Sequence, residues 1–138
     1  MKLVELFIQY FPSFISALIY TLKLTALSLF FASIAGIIFG LFSVSYSKIL
    51  RGITKVYVDI IRGTPLLVQA FFMYFGVTQA LNIRMSAFVA GTITLSLNAG
   101  AYMSEIVRGG IESVDVGQME AARSLGLSYA KAMRKVIL

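Results

Sequence analysis

The chain has 138 residues, 59% of them hydrophobic and 13% charged, and carries a formal net charge of +6. That is too apolar for an ordinary soluble domain, so a membrane protein is the first expectation. The lack of Cys and His removes thiol nucleophiles, disulfides, imidazole-built zinc sites and the usual general base, so we expect no catalytic residue, no metal site and no resident cofactor.

The basic surplus does not point to nucleic acid, because a nucleic-acid binder spreads Lys and Arg as a solvated stripe beside a soluble core. Here the charges cluster and leave three long gaps: residues 24–47 hold 24 uncharged positions, residues 63–83 hold 21, and residues 85–104 hold 20. Each is close to the roughly 20 residues that cross a ~30 Å hydrocarbon core as a helix. A fourth run, residues 6–22, is separated from the first only by Lys23, with no Gly or Pro between Tyr20 and Thr25 to turn the chain. The expected fold is an all-α membrane protein, a multi-pass bundle with about three transmembrane helices.

The first expected element is a short interfacial segment over residues 1–12, bearing Lys2, Glu5 and Tyr10 ahead of Pro12. A long first transmembrane helix follows to about Tyr46, with Lys23 snorkelling near one end. A cleaved secretory leader is the competing reading, since Ser33 and Ala35 imitate a small-x-small site; Glu5, Pro12 and the continuing apolar run oppose it. Within the helix Ser28, Ala32, Gly36 and Gly40 recur every four residues and draw a stripe of small side chains. That stripe suits static packing, or a seam along which helices rock.

The first connection carries Lys48, Arg51, Lys55 and Arg62 against Asp59, whereas the second, near Asn82, has only Arg84. The positive-inside rule then places the first connection in the cytoplasm and the N-terminus outside. Everything after Glu105 returns to the cytoplasm, where Arg108, Arg123, Lys131, Arg134 and Lys135 agree with that side. The stretch from Asp59 to Pro65 reads as a break and a helix start, with Thr64 as N-cap and Pro65 at the first helical position. Two readings stay open: a discontinuity at membrane depth whose amides receive a carboxylate, or a plain helix beginning at the surface with Arg62 as anchor.

In the third helix Thr94, Asn98, Tyr102 and Glu105 fall within an arc of about 80° at 100° per residue, while Ser96, Gly100 and Ser104 line another face. A polar arc is costly in lipid, so it is expected to line a cavity or the bundle interior. Asn98 offers both donors and acceptors to a zwitterionic solute; hydrogen bonding between helices is the equal alternative. For Glu105 an ion pair with Arg108 three residues on competes with a solute role.

Residues 115–130 form a cytoplasmic loop. Asp115 followed by Gln118 is a capping-box pattern and Gly126 suits a left-handed stop, so a helix of about ten residues is expected between them. It is too short to be stable alone and too polar to insert, so it must dock, on this chain or on a partner. Ser128 then restarts a helix carrying Lys131, Arg134 and Lys135. Apolar content rises again at Val136, Ile137 and Leu138, and the expectation is a fragment whose missing part adds further transmembrane helices.

Glu120-Ala121-Ala122 with Gly126 four positions after Ala122, then Val136 and Leu138, resembles the cytoplasmic EAA loop of ABC-importer permease subunits. Arg62-Gly-Thr-Pro-Leu-Leu-Val-Gln69, the stretch Leu97 to Glu105, and Arg108-Gly-Gly-Ile111 resemble the branch of that family that takes up polar amino acids of the histidine, glutamine or arginine type. The likeness, to a type I importer, covers the chain from about Leu22. It implies that residues 1–138 are part of an importer transmembrane domain in a bacterial cytoplasmic membrane. It also implies that Gly117, Gln118, Glu120, Ala121, Ala122, Leu125 and Gly126 seat a coupling helix on separate ATP-hydrolysing subunits.

Further implications are an extracytoplasmic solute-binding protein, a second permease subunit, identical or a sister, and alternating access to a pathway lined by Thr64, Thr94, Asn98, Tyr102 and Glu105. Gly36, Gly40 and Gly100 would serve helix packing. The subunit itself would hydrolyse nothing, in keeping with the lack of a Gly-rich phosphate loop ending in Gly-Lys-Ser/Thr. A small membrane scaffold is the rival reading of the same helices.

Overall fold

A computed structural model of the chain describes residues 2–137, with side chains from residue 4 onward. Leu138 of the loop pattern and the Lys2 side chain therefore lie outside the described residues. Seven α-helical segments follow one another: α1 (Lys2–Ser43), α2 (Lys48–Gly63), α3 (Leu66–Phe71), α4 (Thr78–Leu81), α5 (Ala87–Glu112), α6 (Val116–Ser124) and α7 (Tyr129–Ala132). A π-helical turn, Phe72–Val77, joins α3 to α4, and another, Met133–Ile137, follows α7.

Helix α1 has 42 residues, about 63 Å at 1.5 Å per residue, which exceeds the ~30 Å of a hydrocarbon core. It runs unbroken through Pro12, so the expected segment over residues 1–12 is not set apart by the backbone. Pro12 removes one amide donor, yet the ladder on either side carries the helix across, and the Ser16 hydroxyl back-bonds to the Pro12 carbonyl at 3.0 Å.

The small-residue stripe of α1 lies against α5. Ser28 Oγ donates to Thr92 O at 3.5 Å and Ser96 Oγ to Ser28 O at 3.3 Å. A Cβ built on Gly36 would stand 2.5 Å from Met103 Cβ, and one on Gly40 would stand 2.5 Å from Val107 Cγ1. Such distances are too short for any side chain, so these positions must stay glycine for the backbones to approach this closely. Ala32, Ala101 and Ser104 are fully enclosed in the same seam region. Partners rise together along both helices, from Ser28 with Thr92 to Gly40 with Val107, so α1 and α5 run parallel. Two parallel helices need a returning chain between them.

Residues 48–81 make that return. The basic connection expected between the first two crossings is the helix α2, opened by Ser47, whose side chain accepts from Leu50 N. Its charged residues stand among apolar ones at helical spacing: Thr54 and Val58 are buried and Tyr57 and Ile61 half-buried, which puts one apolar face inward. Reading charge density alone hides that period. Tyr57 stacks on Phe39 with centroids 4.4 Å apart and donates its hydroxyl to Leu97 O at 2.6 Å, pinning α2 between α1 and α5. The return bends by 105° between Lys48–Gly63 and Leu66–Leu81.

Among the described residues, α1 alone is long and apolar enough to cross a membrane as a single helix, and α2 with Leu66–Leu81 qualifies as a bent pair. Of the three expected crossings, the first is α1, the second qualifies only as part of the bent pair with α2, and the third, α5, does not qualify by length and composition. Helix α5 dilutes its apolar content with Thr92, Thr94, Ser96, Asn98 and Ser104, and buries four of these five, Asn98 being partly covered. It is capped by Ser86, which accepts from Val89 N at 3.3 Å, after a connection in which Asn82 takes the left-handed conformation at φ 51°.

Candidate functional site

Proline 65 has no N–H, so the Ile61 carbonyl four residues earlier loses the partner a continuous helix would supply. The Gln69 side chain replaces it: Nε2 lies 2.6 Å from Ile61 O, 3.0 Å from Thr64 O and 2.9 Å from Thr64 Oγ1. Thr64, forced extended ahead of proline at φ −117° and ψ 141°, ends α2. Its hydroxyl donates back to Ile60 O at 2.8 Å. The expected N-cap role of Thr64 is therefore corrected: the cap position of α3 is Pro65, without a side-chain bond, because the Thr64 hydroxyl is committed to the preceding helix.

The polar arc of α5 faces this break and the neighbouring stretch of α2. Asn98 Nδ2 donates to Gln69 Oε1 at 3.3 Å. Thr94 is 2% exposed, its hydroxyl donating to Ala90 O at 2.8 Å, so its donor is spent within α5. Thr94, Ile61, Thr64 and Gln69 line a cavity of about 310 Å³. One turn on, the Arg62 guanidinium sits 5.1 Å from the centroid of the Tyr102 ring, and Tyr102 is otherwise exposed. The arc residues are thus spread along α5: Thr94 shares a cavity with Thr64, Asn98 meets Gln69, and Tyr102 meets Arg62 farther on.

Glu105 is held by two arginines. Arg108 grips it with both Nε at 3.1 Å and Nη2 at 3.0 Å, while Arg62 Nη1 approaches at 3.4 Å from α2. Arg108 also reaches Glu112 at 2.8 Å. The i to i+3 pair expected for Glu105 and Arg108 is present, and Arg62 joins it. Glu105 lies just past the uncharged run 85–104; the hydrogen bond from Arg108, and then the nearby guanidinium charges, hold its carboxyl below the usual carboxylate range. The same contacts push Arg108 further up. Arg51, Lys55, Asp59, Arg62, Glu105 and Arg108 line a second cavity of about 440 Å³.

Along the sequence Gln69 figures only as the end of the stretch from Arg62, and Arg62 as a basic residue of the first connection and an anchor, neither with a role in the site. A signal for Gln69 existed: an amide four residues after a helix-breaking proline, inside a run of 21 uncharged residues. For Arg62 there was none, because its partners lie 40 or more residues away in sequence.

At the other end, α6 is a nine-residue helix. Asp115 Oδ1 accepts from Gly117 N at 2.7 Å, so the expected capping box is one-sided, the amide reached being that of Gly117, with Gln118 N bonded to the Asp115 carbonyl instead. The helix stops at Gly126, φ 82°, with Leu127 N bonded to Ala122 O at 3.1 Å and Gly126 N to Arg123 O at 3.0 Å. These two bonds are the Schellman closure, which needs a residue tolerant of positive φ. Gly117, Gln118, Glu120, Ala121, Leu125 and Gly126 are all exposed, Leu125 at 84%. Ala122, expected on the docking surface, is instead buried at 4%. Its small methyl lets α6 fold back on the segment after Ser128, where Ala132 is also enclosed. Tyr129 packs against Tyr46 with centroids 4.9 Å apart, fixing this hairpin beneath the α1–α2 turn.

Residues 32–138 match the family described as "Binding-protein-dependent transport system inner membrane component". The chain is 39% identical over 127 residues to the arginine transport system permease protein ArtQ of Bacillus subtilis (strain 168), covering 92% of this chain and 58% of that one. It is 42% identical over 134 residues to the "Probable amino-acid ABC transporter permease protein YckA" of the same strain, covering 97% and 59%. A crystal structure of an amino acid ABC transporter with histidines superimposes with a TM-score of 0.84 at 45% identity, covering 95% of this chain and 61% of that one. The chain spans about three fifths of the length of these relatives. It belongs to the family of inner-membrane components of binding-protein-dependent transport systems.

Proposed function

We propose that this protein is a membrane-spanning permease subunit of an ATP-binding-cassette importer for a polar amino acid, working by alternating access while separate subunits hydrolyse ATP. The observation that carries the reading is α6: a capped, glycine-terminated helix with an exposed face on a hairpin that packs against the α1–α2 turn. Nine residues cannot hold a helix on propensity alone, and an exposed Leu125 finds its use in a partner's groove. Gly117, Gln118, Glu120, Ala121, Leu125 and Gly126 form the surface toward the ATPase subunit, with Ala122 supporting it from behind.

The N-terminus lies outside and residues 106–137 in the cytoplasm, on the distribution of Lys and Arg and the parallel course of α1 and α5. In that frame the exposed apolar side chains of α1 meet lipid and a second permease subunit, identical or a sister. The solute passes Thr64, Thr94, Asn98, Tyr102 and Glu105, delivered from outside by a solute-binding protein. Arg62 and Glu105 offer a guanidinium and a carboxylate to the two ends of a zwitterion, and Asn98 its amide.

The test is purification of the tagged protein with its membrane complex in mild detergent, followed by uptake of labelled arginine, histidine and glutamine in vesicles. A phosphate-loop ATPase that co-purifies, and is lost on altering Glu120 or Gly126, supports the reading. A folded protein that brings down no ATPase and moves none of the three overturns it in favour of a membrane scaffold.

A further inference from the structure

We propose that Gln69 is a positioning residue with two separable tasks: its amide donor holds the 105° break at Thr64–Pro65, and its carbonyl orients Asn98 in the solute pathway. The second task rests on the function proposed above; the first does not.

The donor task follows from the backbone. Pro65 leaves the Ile61 carbonyl without its helical partner, in a region with no bulk water if the segment lies in a bilayer. The Gln69 Nε2 contact of 2.6 Å fills that vacancy and adds Thr64 at 2.9 and 3.0 Å, so one side chain from α3 is bonded to both sides of the bend. Nothing else in the described residues bridges it by side-chain hydrogen bonds. With the α2–α3 contact made through an amide, the angle is set by a side chain rather than by a continuous ladder. The acceptor task follows from the remaining end of the same group: Oε1 takes the Asn98 Nδ2 donor at 3.3 Å, across from α5. With Nδ2 so engaged, the Asn98 side-chain oxygen is left as an acceptor for another partner. Both tasks need an amide, which explains a Gln within Leu66–Phe71, where the other five residues are apolar.

The experiment uses the complete transporter, this protein with its ATPase subunits, in vesicles. Gly52 and Gln79 are exposed on either side of the bend, so spin labels on Gly52→Cys and Gln79→Cys report the angle as a distance distribution. Uptake of labelled arginine, histidine and glutamine reports KM and maximal rate. Gln69→Leu should broaden or shift the distance distribution and raise the KM of the transported amino acid about tenfold. Adding Pro65→Ala, which returns an N–H to Ile61 O, should narrow the distribution again while KM stays raised, because the acceptor for Asn98 is still missing.

A merely structural role would move both readings together and restore both together, and that outcome overturns the proposal. So does a Gln69→Leu protein with wild-type distances and KM. If Gln69→Leu does not fold, Gln69→Asn keeps the amide but is one methylene short of spanning Ile61 O and Asn98, and the same split is expected of it. If the unaltered transporter takes up none of the three amino acids, the function proposed above fails, while the distance measurement still decides the donor task.

Discussion

Helix α5 meets its neighbours in opposite ways on two sides. Toward α1 it presents Thr92, Ser96, Gly100 and Ser104, and the backbones come so near that glycine hydrogens are all that Gly36 and Gly40 can carry. Toward α2 and α3 it presents Asn98, Tyr102 and Glu105, whose contacts with Gln69 and Arg62 are made by side-chain tips at 3.3 Å, 5.1 Å and 3.4 Å. A seam of backbone against backbone has one arrangement, since interiors are close-packed and do not deform gradually. Under the function proposed above, a contact made through amides and guanidinium groups is the one that exchanges its partners for a solute. One helix therefore has one side fixed by close backbone approach and, in that reading, one side whose contacts are exchangeable.

The strongest way to break this contrast is Gly36→Leu. With a Cβ already 2.5 Å from Met103 Cβ, the two helices must separate, and we expect a loss near the upper end of the ~1–3 kcal/mol typical of overpacking, or more. Thermal melting in detergent measures it, and a melting point equal to wild type would mean that the seam yields. Gly100→Ala is milder, because its Cβ would meet Tyr57 Oη at 3.0 Å and Ala35 Cβ at 3.1 Å, so that each neighbour must give by only a few tenths of an ångström.

On the exchangeable side, Asn98→Leu in the whole transporter should abolish ATP-dependent uptake while melting and assembly stay close to wild type. Unchanged uptake would reduce the polar arc to packing. Farther from the bundle, Gly126→Val leaves space around the new side chain but forces a β-branched residue to positive φ, a strain of about 1–2 kcal/mol. The helix end then unwinds, and retention of the ATPase subunit in a pull-down should fall about tenfold, as ~1.4 kcal/mol implies.

The smallest effect belongs to Glu105. Its side chain and those of Arg62 and Arg108 are 29–42% exposed, so the pairs together contribute at most about 1 kcal/mol after solvent screening. The folded carboxyl titrates below its unfolded value, so this stabilisation is present above the ordinary Glu range near ~4.3 and disappears as pH falls through the folded value. Melting at pH 7 and at pH 3.5 should show a larger acid-induced drop for wild type than for Glu105→Gln. Equal drops would exclude the pair as a stabilising contact.

Much of the helical layout can be read along the chain, because hydrocarbon demands long uncharged runs and tight stops demand particular residues. The four-residue recurrence from Ser28 to Gly40 marks the face that α5 occupies, and Gly126 marks the end of α6. Other features resist such reading. Charge density makes residues 48–62 look like a loop, although their apolar positions keep a helical period and pack as α2. Pro12 looks like a boundary, yet one missing hydrogen bond does not divide a helix of 42 residues. Ala122, grouped with the docking residues by its motif, turns inward because the hairpin needs a small side chain where it closes.

Local chemistry in the sequence determined where helices start, stop and break, which faces are small or polar, and where the charges gather, since these depend on residues within a turn or two of one another. The tertiary structure alone decided which groups meet: Arg62 with Glu105 across 43 residues, Gln69 with Asn98 across 29, Tyr57 with Leu97 across 40. Those pairings follow from the parallel approach of α1 and α5 and the 105° return between them. No spacing along the chain encodes them, because side chains so far apart in sequence are neighbours only after the helices have packed.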